Sequence, residues 1–378
     1  MKEKNKKVLF VANVAKEHVV KFHLPTIRKF REEGWQVDVA CFHDADISDC
    51  DCQYDASWNR SPFSINTFIG ISEIKQILKE THYDLVYCHT PVGGLVSRLG
   101  AKEARKTGTK VIYTVHGFHF FRNAPKKNWL IYYPVEKFLS HYCDAIFTVN
   151  EEDYQLAKER FTGTKIRLIP EVGVDFKRLD IKEPQAVRMA YRQKMNIPEN
   201  AFVMIYVAEL IPNKNQEMLL NVLKKLREKG QDVYLILAGP DHYEGHLQKL
   251  ASEMNIEDYV RFPGWSNDVG ELMHTADVCT ASSIREGFGI NLIEALYCGL
   301  PAIATDNRGH RMALRNGENG LLVDANDYNK MAEYVERIAQ DEAFRERYSH
   351  IDVHEYEADL IADQIYHILI EEISNDAQ

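Results

Sequence analysis

The sequence predicts an α/β protein built from two doubly wound domains. Short apolar strands alternate with helical segments along the whole 378-residue chain, in two series of about six strands each. Continuous apolar strands joined by helical crossovers give parallel sheets that are covered by helices on both faces. Gly173 ends the first series, and a charged stretch with Pro184 follows it. The predicted domains are therefore residues 1–173 and 174–354, followed by a C-terminal segment of residues 355–378.

The individual elements follow from apolar runs and from hydrophobic periodicity. The first series of strands is predicted at residues 7–13, 36–42, 85–89, 110–116, 145–150 and 165–170. The second series is predicted at 202–208, 233–239, 260–264, 277–282, 301–305 and 320–323. Helices with a period of 3.6 are predicted at 24–33, 217–228 and 329–340, for example. The segment 355–372 predicts a further amphipathic helix, which either packs back on the first domain or lies on the surface, with the apolar face Leu360, Ile361, Ile365, Ile368 and Leu369.

The composition narrows the class of protein. The formal net charge of −10 argues against nucleic acid as a partner. No run of about 18 apolar residues and no secretory signal pattern is found, so we expect a cytoplasmic protein. Most of the seven cysteines lie in or beside apolar runs, as reduced core residues do.

Basic residues are concentrated near the start of the chain. A patch of this kind can face anionic lipid on the inner side of the cell membrane, and a solvated terminus and helix face is the alternative. The residues are Lys2, Lys4, Lys6, Lys7, Lys21, Arg28, Lys29 and Arg31.

One short motif contains residues that are suited to binding a ligand. Residues 285–296 read REGFGINLIEAL and lie between a predicted buried strand and a predicted helix. Open α/β sheets bind ligands at such turns, beyond the carboxyl ends of their strands. Gly287 and Gly289 allow close approach of a ligand to the backbone and to the amide groups at the helix start, which suits phosphate. The carboxylates of Glu286 and Glu294 would repel phosphate, so they are better suited to binding hydroxyl groups. Phosphate together with a polyol indicates a sugar nucleotide.

These residues also carry a resemblance to a known family. The segment REGFGINLIEALYCGLPAIATDNRGH, followed by NGENGLLV, resembles the retaining glycosyltransferases of family 4. Weaker matches occur in the right order along nearly the whole chain: VLFVANVAKEHVVKFHLP, VIYTVHGFHFF, IPEVGVD and YVAELIPNKNQ. The resemblance implies the GT-B architecture, in which two Rossmann-like domains face each other across a cleft. The forms of VHGFHFF and DNRGHR are most similar to bacterial enzymes of capsule, exopolysaccharide or lipid-linked glycan synthesis.

The resemblance also implies roles for particular residues. Glu294 would bind the ribose hydroxyls and Glu286 the hydroxyls of the donor sugar. Lys214 would pair with the diphosphate, and His116 would orient or stabilise the transferring sugar. His116 and Glu286 are therefore the candidate catalytic residues. The remaining candidate donor contacts are Arg285, Gly287, Phe288, Gly289 and Ile290.

The chain departs from the family pattern at two places. Glu209 stands where the family usually has arginine, and we hypothesise that Arg285 or Arg308 supplies the missing positive charge. The first loop, which begins at Asn13, lacks the usual pair of glycines, so it is assigned to the acceptor side. The candidate acceptor-side residues are Asn13, His18, His23 and His119.

Further segments allow two interpretations. The aromatic stretch from Phe118 to Tyr133, with Arg122, Lys126 and Lys127 interleaved, forms either core or a rim that faces lipid or acceptor. Residues 171–175 predict a hinge whose closure would bring His116 towards Glu286. Asp44-Ala45-Asp46 has the spacing of a metal-binding motif but lacks a neighbouring phosphate site, so it is interpreted as a solvated loop. No metal ligand set and no cofactor is predicted.

The sequence thus predicts a retaining hexosyl- or N-acetylhexosaminyltransferase. It would move a sugar from a nucleotide donor, expected to be a UDP-sugar and a substrate rather than a cofactor, to a glycan or lipid-linked acceptor. Two alternatives remain open at this point. One is a UDP-sugar epimerase of the same architecture, and the other is a catalytically silent scaffold subunit of a glycan assembly complex.

Overall fold

The computed structural model describes residues 6–58, 64–121 and 124–374. The chain divides into two compact units. One comprises Met1–Gly173 together with Ala358–Gln378, and the other comprises Val174–Glu357. The second unit extends three residues beyond the predicted end at 354, because the turn His354–Tyr356 still hydrogen-bonds to Val174. The C-terminal helix belongs to the first unit.

The first unit contains a seven-stranded parallel sheet with the order β3-β2-β1-β4-β5-β6-β7. Its strands are β1 Lys7–Val14, β2 Gln36–Phe42, β3 Cys52–Asp55, β4 Leu85–His89, β5 Lys110–Val115, β6 Ala145–Thr148 and β7 Lys165–Leu168. A π-helix, Ala15–His23, follows β1. The helices are α1 Leu24–Glu32, α2 Ile65–Glu80, α3 Pro91–Gly100, α4 Lys102–Arg105, α5 Lys126–Leu139 and α6 Glu151–Arg160.

The second unit contains a six-stranded parallel sheet with the order β10-β9-β8-β11-β12-β13. Its strands are β8 Phe202–Val207, β9 Val233–Ala238, β10 Val260–Gly264, β11 Val278–Ala281, β12 Ala302–Thr305 and β13 Leu321–Val323. Its helices are α7 Pro184–Lys194, α8 Gln216–Glu228, α9 His246–Glu253, α10 Val269–Thr275, α11 Ile290–Tyr297, α12 His310–Ala313, α13 Tyr328–Gln340 and α14 Glu342–Tyr348. The last helix of the chain, α15 Ala358–Ser374, packs in the first unit.

Both sheets have the doubly wound arrangement that the sequence predicts. In the first sheet the chain runs outward from β1 to β3 and then returns to place β4 on the other side of β1. In the second sheet the same reversal lies between β8 and β11. Ligands of open α/β sheets bind beyond the carboxyl ends of the strands at such reversals. The two groups of candidate residues described below, one in each unit, lie at these two positions.

The C-terminal helix is anchored in the first unit by apolar and ionic contacts. Tyr366 packs edge-on against Phe30 of α1, with the ring centroids 4.9 Å apart. Ile361 and Leu369 are buried in the core beneath β1 and β2. Arg167 of β7 forms an ion pair with Glu372 at 2.7 Å. Leu360, which was predicted on the apolar face, is 44% exposed and lies off the buried face.

The basic residues of α1 do not form an unpaired patch. Arg28 forms an ion pair with Asp49 at 3.0 Å, and Lys29 pairs with Asp363 of α15 at 2.7 Å. Arg31 reaches Asp51 at 3.5 Å. The acidic loop 44–51 therefore pairs with two of the three basic residues of α1, and α15 pairs with the third. Lys2 and Lys4 lie outside the described residues.

Part of the aromatic stretch is core. Phe118 and Phe120 are 3% and 0% exposed, and they pack against each other and against Phe161. The interpretation of these two rings as a rim is wrong, because their side chains point into the first unit. Arg122 lies outside the described residues. No helix in the described part of the chain is long and apolar enough to cross a membrane.

Candidate active site

The loop after β11 holds Glu286 in a network of short hydrogen bonds. One carboxylate oxygen, Oε1, accepts from Lys214 Nζ at 2.5 Å and from Ser283 Oγ at 2.5 Å. Ser283 is in turn hydrogen-bonded to the hydroxyl of Tyr206, which belongs to the neighbouring strand β8, at 2.5 Å. Glu286 and Lys214 are 72 residues apart in sequence, and the reversal between β8 and β11 brings them together.

The backbone of the lysine loop is held independently of the lysine side chain. The hydroxyl of Ser282 donates to the Lys214 carbonyl at 2.8 Å. Asn213 donates through Nδ2 to the Arg285 carbonyl at 3.0 Å, and its own carbonyl accepts from the Ile284 amide at 2.9 Å. These contacts position the Lys214 side chain beside Glu286 through the backbone.

Glu294 lies in α11, where it is 7% exposed at its side chain and forms an ion pair with Arg178. Arg178 lies in the short helix Phe176–Leu179, directly after the junction between the two units. The sequence analysis missed this residue because the contact spans 116 positions. Helix α11 begins after Gly289, where no side chain caps the helix. The positive end of the helix dipole therefore points towards the loop that contains Gly287 and Phe288.

A second loop, which follows β12, lies in close contact with Glu286. A Cβ added at Gly309 would lie 2.6 Å from the Glu286 Cβ and 2.7 Å from its carbonyl oxygen, so glycine is required for this close approach. Arg308 is 6% exposed and donates through Nε to the Glu286 carbonyl at 3.4 Å. Arg308 thus lies beside the loop that contains Glu286, as the charge-replacement hypothesis requires. Arg285 is only partly buried, and Glu209 is exposed.

His310 is a further residue that the sequence analysis did not select. It is completely buried, its Nδ1 lies 2.7 Å from the Thr305 carbonyl, and its Nε2 has no hydrogen-bond partner. Burial lowers the pKa of His310, so the ring is neutral near pH 7. A Cβ on Gly289 would lie 3.4 Å from its Cδ2. The sequence signal was the glycine-histidine pair at the start of a short helix in DNRGHR.

The first unit contains a cluster of four histidines at the reversal of its own sheet. His18 and His23 come from the π-helix after β1, His89 ends β4, and His116 follows β5. The Nε2 atoms of His18 and His23 are 3.2 Å apart, and His89 Nδ1 lies 3.3 Å from His116 Nε2. One ring nitrogen from each residue lies within 4.8 Å of the other three. No metal ligand set was predicted from the sequence, because these four residues come together only in the folded chain.

The four rings differ in their electrostatic surroundings. Burial, together with the neighbouring histidines, lowers the pKa values of His23 and His89 well below the ordinary range. The pKa of His116 is lowered by burial, but the carboxylate of Glu171 outweighs this and the net shift is upward. His116 Nδ1 lies 2.8 Å from Glu171 Oε1. Both ring nitrogens of His116 therefore have partners within the first unit.

The remaining predicted acceptor-side residues take separate positions. Asn13, at the end of β1, accepts at Oδ1 from Thr90 Oγ1 at 2.8 Å and from the Gly93 amide at 2.9 Å, and so links two strand ends. His119 stacks on Tyr132 with a centroid separation of 4.7 Å, outside the four-histidine cluster.

Comparison with known proteins identifies the family. Residues 187–351 match the model "Glycosyl transferases group 1", and residues 7–150 match "Glycosyl transferase 4-like". The chain is 42% identical over 334 residues to a Bacillus subtilis (strain 168) protein named "Putative glycosyltransferase EpsD", covering 88% of this chain and 87% of the relative. The chain belongs to glycosyltransferase family 4.

Relatives whose names state a specific activity are less similar to this chain. The "UDP-Gal:alpha-D-GlcNAc-diphosphoundecaprenol alpha-1,3-galactosyltransferase" of Escherichia coli is 27% identical over 278 residues, which cover 72% of this chain and 70% of that protein. These family relationships identify the chain as a glycosyltransferase.

Solved structures establish the architecture. Anabaena Alr3699/HepE in complex with UDP and glucose has a TM-score of 0.79 at 20% identity, covering 97% of this chain and 100% of that one. Sucrose-phosphate synthase from Thermosynechococcus elongatus has a TM-score of 0.78 at 18% identity, covering 98% and 100%. The family 4 chain therefore has the GT-B fold.

Proposed function

We propose that this glycosyltransferase transfers a sugar from a UDP-sugar to a lipid-linked glycan acceptor, with retention at the anomeric carbon. The observation that carries the proposal is the group formed by Glu286, Lys214 and the start of α11, at the reversal between β8 and β11. It combines a carboxylate for sugar hydroxyls, a cation for the diphosphate and a helix N-terminus for phosphate oxygens.

The proposed roles follow from the chemistry of each group. A departing nucleoside diphosphate develops negative charge, which a preorganised lysine stabilises in a sheltered site. Glu294 accepts hydrogen bonds from ribose hydroxyls, and Arg178 holds its carboxylate in place. In a retaining reaction on one face of the sugar, a phosphate oxygen takes the proton of the acceptor hydroxyl as the bond to the leaving diphosphate breaks. No metal ion is assigned to the proposed donor site in this mechanism.

The identity of the donor and acceptor is supported by relatives rather than by a bound ligand. The E. coli relative is named for a UDP-galactose donor and a diphosphoundecaprenol-linked acceptor. HepE, which shares the fold, binds UDP and glucose. A role for His116 at the transferring sugar stays a prediction, and the epimerase and scaffold alternatives are addressed by the donor experiment below.

Thermal unfolding with UDP, GDP, ADP and their common sugar conjugates tests the donor assignment. We expect UDP compounds alone to raise the unfolding temperature, without added metal. A ligand at 100 times its dissociation constant adds about 2.7 kcal/mol to the free energy of unfolding, which is readily measured. The shift should be lost in Glu294→Ala and kept in Glu217→Ala, an acidic control on α8. A shift with GDP or ADP but not with UDP would contradict the donor assignment.

The same assay extends to the arginines and to the alternatives. If Arg308 or Arg285 replaces the arginine missing at Glu209, the UDP shift falls in at least one of the two alanine variants. Two unchanged variants would exclude the hypothesis. Slow hydrolysis of the UDP-sugar without acceptor supports a transferase over a silent scaffold, and conversion to an epimeric UDP-sugar would support the epimerase instead.

We further propose that the first unit contacts the membrane through exposed apolar residues of α2 and α5. Both helices pack against α3. Ile65 and Phe68 of α2 are 78% and 69% exposed, and Leu130 of α5 is 77% exposed. Lys126 and Lys127 at the start of α5 are exposed as well, so apolar and basic groups occur together, as at lipid surfaces.

Co-sedimentation with vesicles tests the membrane contact. We expect more protein bound to vesicles with anionic lipid than to neutral ones, because the lysines add electrostatic attraction. The double variant Ile65→Ser/Leu130→Ser should bind several-fold less. Met189→Ser, an exposed apolar residue of the second unit, is the matched control and should bind like the wild type. Equal binding to neutral and anionic vesicles would exclude the proposal.

A further inference from the structure

We propose that His18, His23, His89 and His116 form a binding site for one Zn²⁺ ion in the first unit. All four ligands belong to the first unit, whereas Lys214, Glu286 and Glu294 belong to the second. The site is also distinct from the acidic loop 44–51, whose side chains are engaged with α1 and with the backbone.

The distances between ring nitrogens suit a tetrahedral ion. Zn–N bonds of about 2.0–2.1 Å place tetrahedral ligand atoms about 3.3–3.4 Å apart. The pair His18–His23 is separated by 3.2 Å and the pair His89–His116 by 3.3 Å. The longest separation in the group is within 4.8 Å, so binding requires the two pairs to approach each other by about 1.5 Å at most. His18 is only partly buried on its π-helix, which leaves space for this adjustment.

The type of ligand atom indicates which metal ion the site would bind. Four imidazoles form a nitrogen-only set, which suits Zn²⁺ and related transition ions rather than Mg²⁺ or Ca²⁺. Each neutral imidazole has one lone pair to give and keeps one proton on its other nitrogen. His89 is fully buried and presents Nδ1 to the group, 3.3 Å from His116 Nε2.

The surroundings provide the support that metal-bound histidines commonly have. A ligating imidazole usually donates its second N–H to a carboxylate or carbonyl, which fixes the tautomer and orientation of the ring. Glu171 is 9% exposed and lies 2.8 Å from His116 Nδ1. The same carboxylate oxygen accepts from the Val172 amide at 2.9 Å, which holds the glutamate in place.

The position in the fold indicates what the ion would do. The ligands come from the segment after β1 and from the ends of β4 and β5, three adjacent strands at the reversal of the first sheet. A closed site with four protein ligands has a structural role, since no position is left for a substrate, and it excludes the predicted contact of His116 with the transferring sugar. Zn²⁺ would therefore fasten the π-helix to the two strand ends and hold the predicted acceptor-side loop.

Zinc binding to the tag-free, full-length protein tests the inference. The protein is treated with a chelator, desalted, and titrated with Zn²⁺ in competition with a chromophoric chelator. We expect one ion per chain, and Co²⁺ in its place should give the visible absorption of a tetrahedral complex. His89→Gln and His18→Gln should each weaken Zn²⁺ binding at least about 100-fold, and Glu171→Gln about 10–100-fold. The exposed His82→Gln is the control and should bind like the wild type.

Circular dichroism checks that each variant is folded. If His89→Gln does not fold, the half-buried His18→Gln decides the outcome. Failure of the wild type to bind Zn²⁺, or equal affinity in the wild type and His18→Gln, would overturn the inference. The UDP thermal shift is measured separately, so loss of zinc binding and failure of the donor assignment are distinguishable.

Discussion

Lys214→Ala is expected to lower kcat/KM for sugar transfer about 10²–10³-fold, the typical cost of removing one preorganised group that stabilises transition-state charge. The negative charge on the diphosphate grows as the sugar departs, so kcat should fall more than KM rises. The substitution also leaves the half-buried Glu286 without its 2.5 Å cation, close to where the diphosphate is proposed to bind. The two effects act in the same direction.

The loop itself should survive this substitution. The hydroxyl of Ser282 and the side chain of Asn213 hold its backbone, and neither bond involves the lysine side chain. Steady-state kinetics with the UDP-sugar selected by the thermal screen provides the measurement. Lys214→Arg should keep more activity than Lys214→Ala because it retains the charge. Lys229→Ala, an exposed lysine that pairs with Glu336, is the matched control. A loss of less than threefold in Lys214→Ala would refute the proposed role.

Glu136→Ala is expected to destabilise the first unit by about 3–5 kcal/mol, the cost of leaving a buried charge without its partner. Arg98 is completely buried in α3, and its Nη1 donates to Glu136 Oε2 of α5 at 2.8 Å. The guanidinium also lies 4.1 Å from the ring centre of Tyr113, while its Nη2 has no hydrogen-bond partner among the described residues. Removal of the carboxylate therefore leaves a buried cation without its ion-pair partner.

Urea unfolding monitored by tryptophan fluorescence measures this effect. Trp35, Trp58 and Trp129 lie in the first unit, and Trp265 lies in the second, so the signal reports mainly the unit that is changed. The double variant Arg98→Met/Glu136→Leu should recover most of the stability, because it removes both charges together. Glu103→Gln, at an exposed ion pair with Lys106, should leave the midpoint unchanged. A midpoint in Glu136→Ala equal to that of the wild type would show that the buried pair is not needed.

Local sequence patterns predicted most strands to within one or two residues at either end. Strands such as β1 and β9 are continuous apolar runs buried on both faces, and this pattern is legible without tertiary information. Strand β3 was missed because Cys52–Asp55 is short, polar and partly exposed at the sheet edge. Its pairing with β2 depends on the tertiary structure and cannot be predicted from its four residues.

The motif that is proposed for donor binding could also be found from the sequence. Glu286, Glu294 and the glycines between them lie within one short motif, so their spacing is visible along the chain. Arg178 was missed because its partner Glu294 is distant in the sequence. His310 was missed because its distinguishing feature is complete burial. Sequence periodicity has no information on either quantity.

The four-histidine cluster shows the difference between what the sequence determined and what only the tertiary structure decided. By itself, the sequence determined the class of fold, the family and the motif for the donor. It did not reveal the cluster, because residues five apart, such as His18 and His23, point about 140° apart on an α-helix. The π-helix pairs residues five apart and so brings both rings to one side. The order of β1, β4 and β5 in the sheet then places His89 and His116 against them, and only the tertiary structure decides that order.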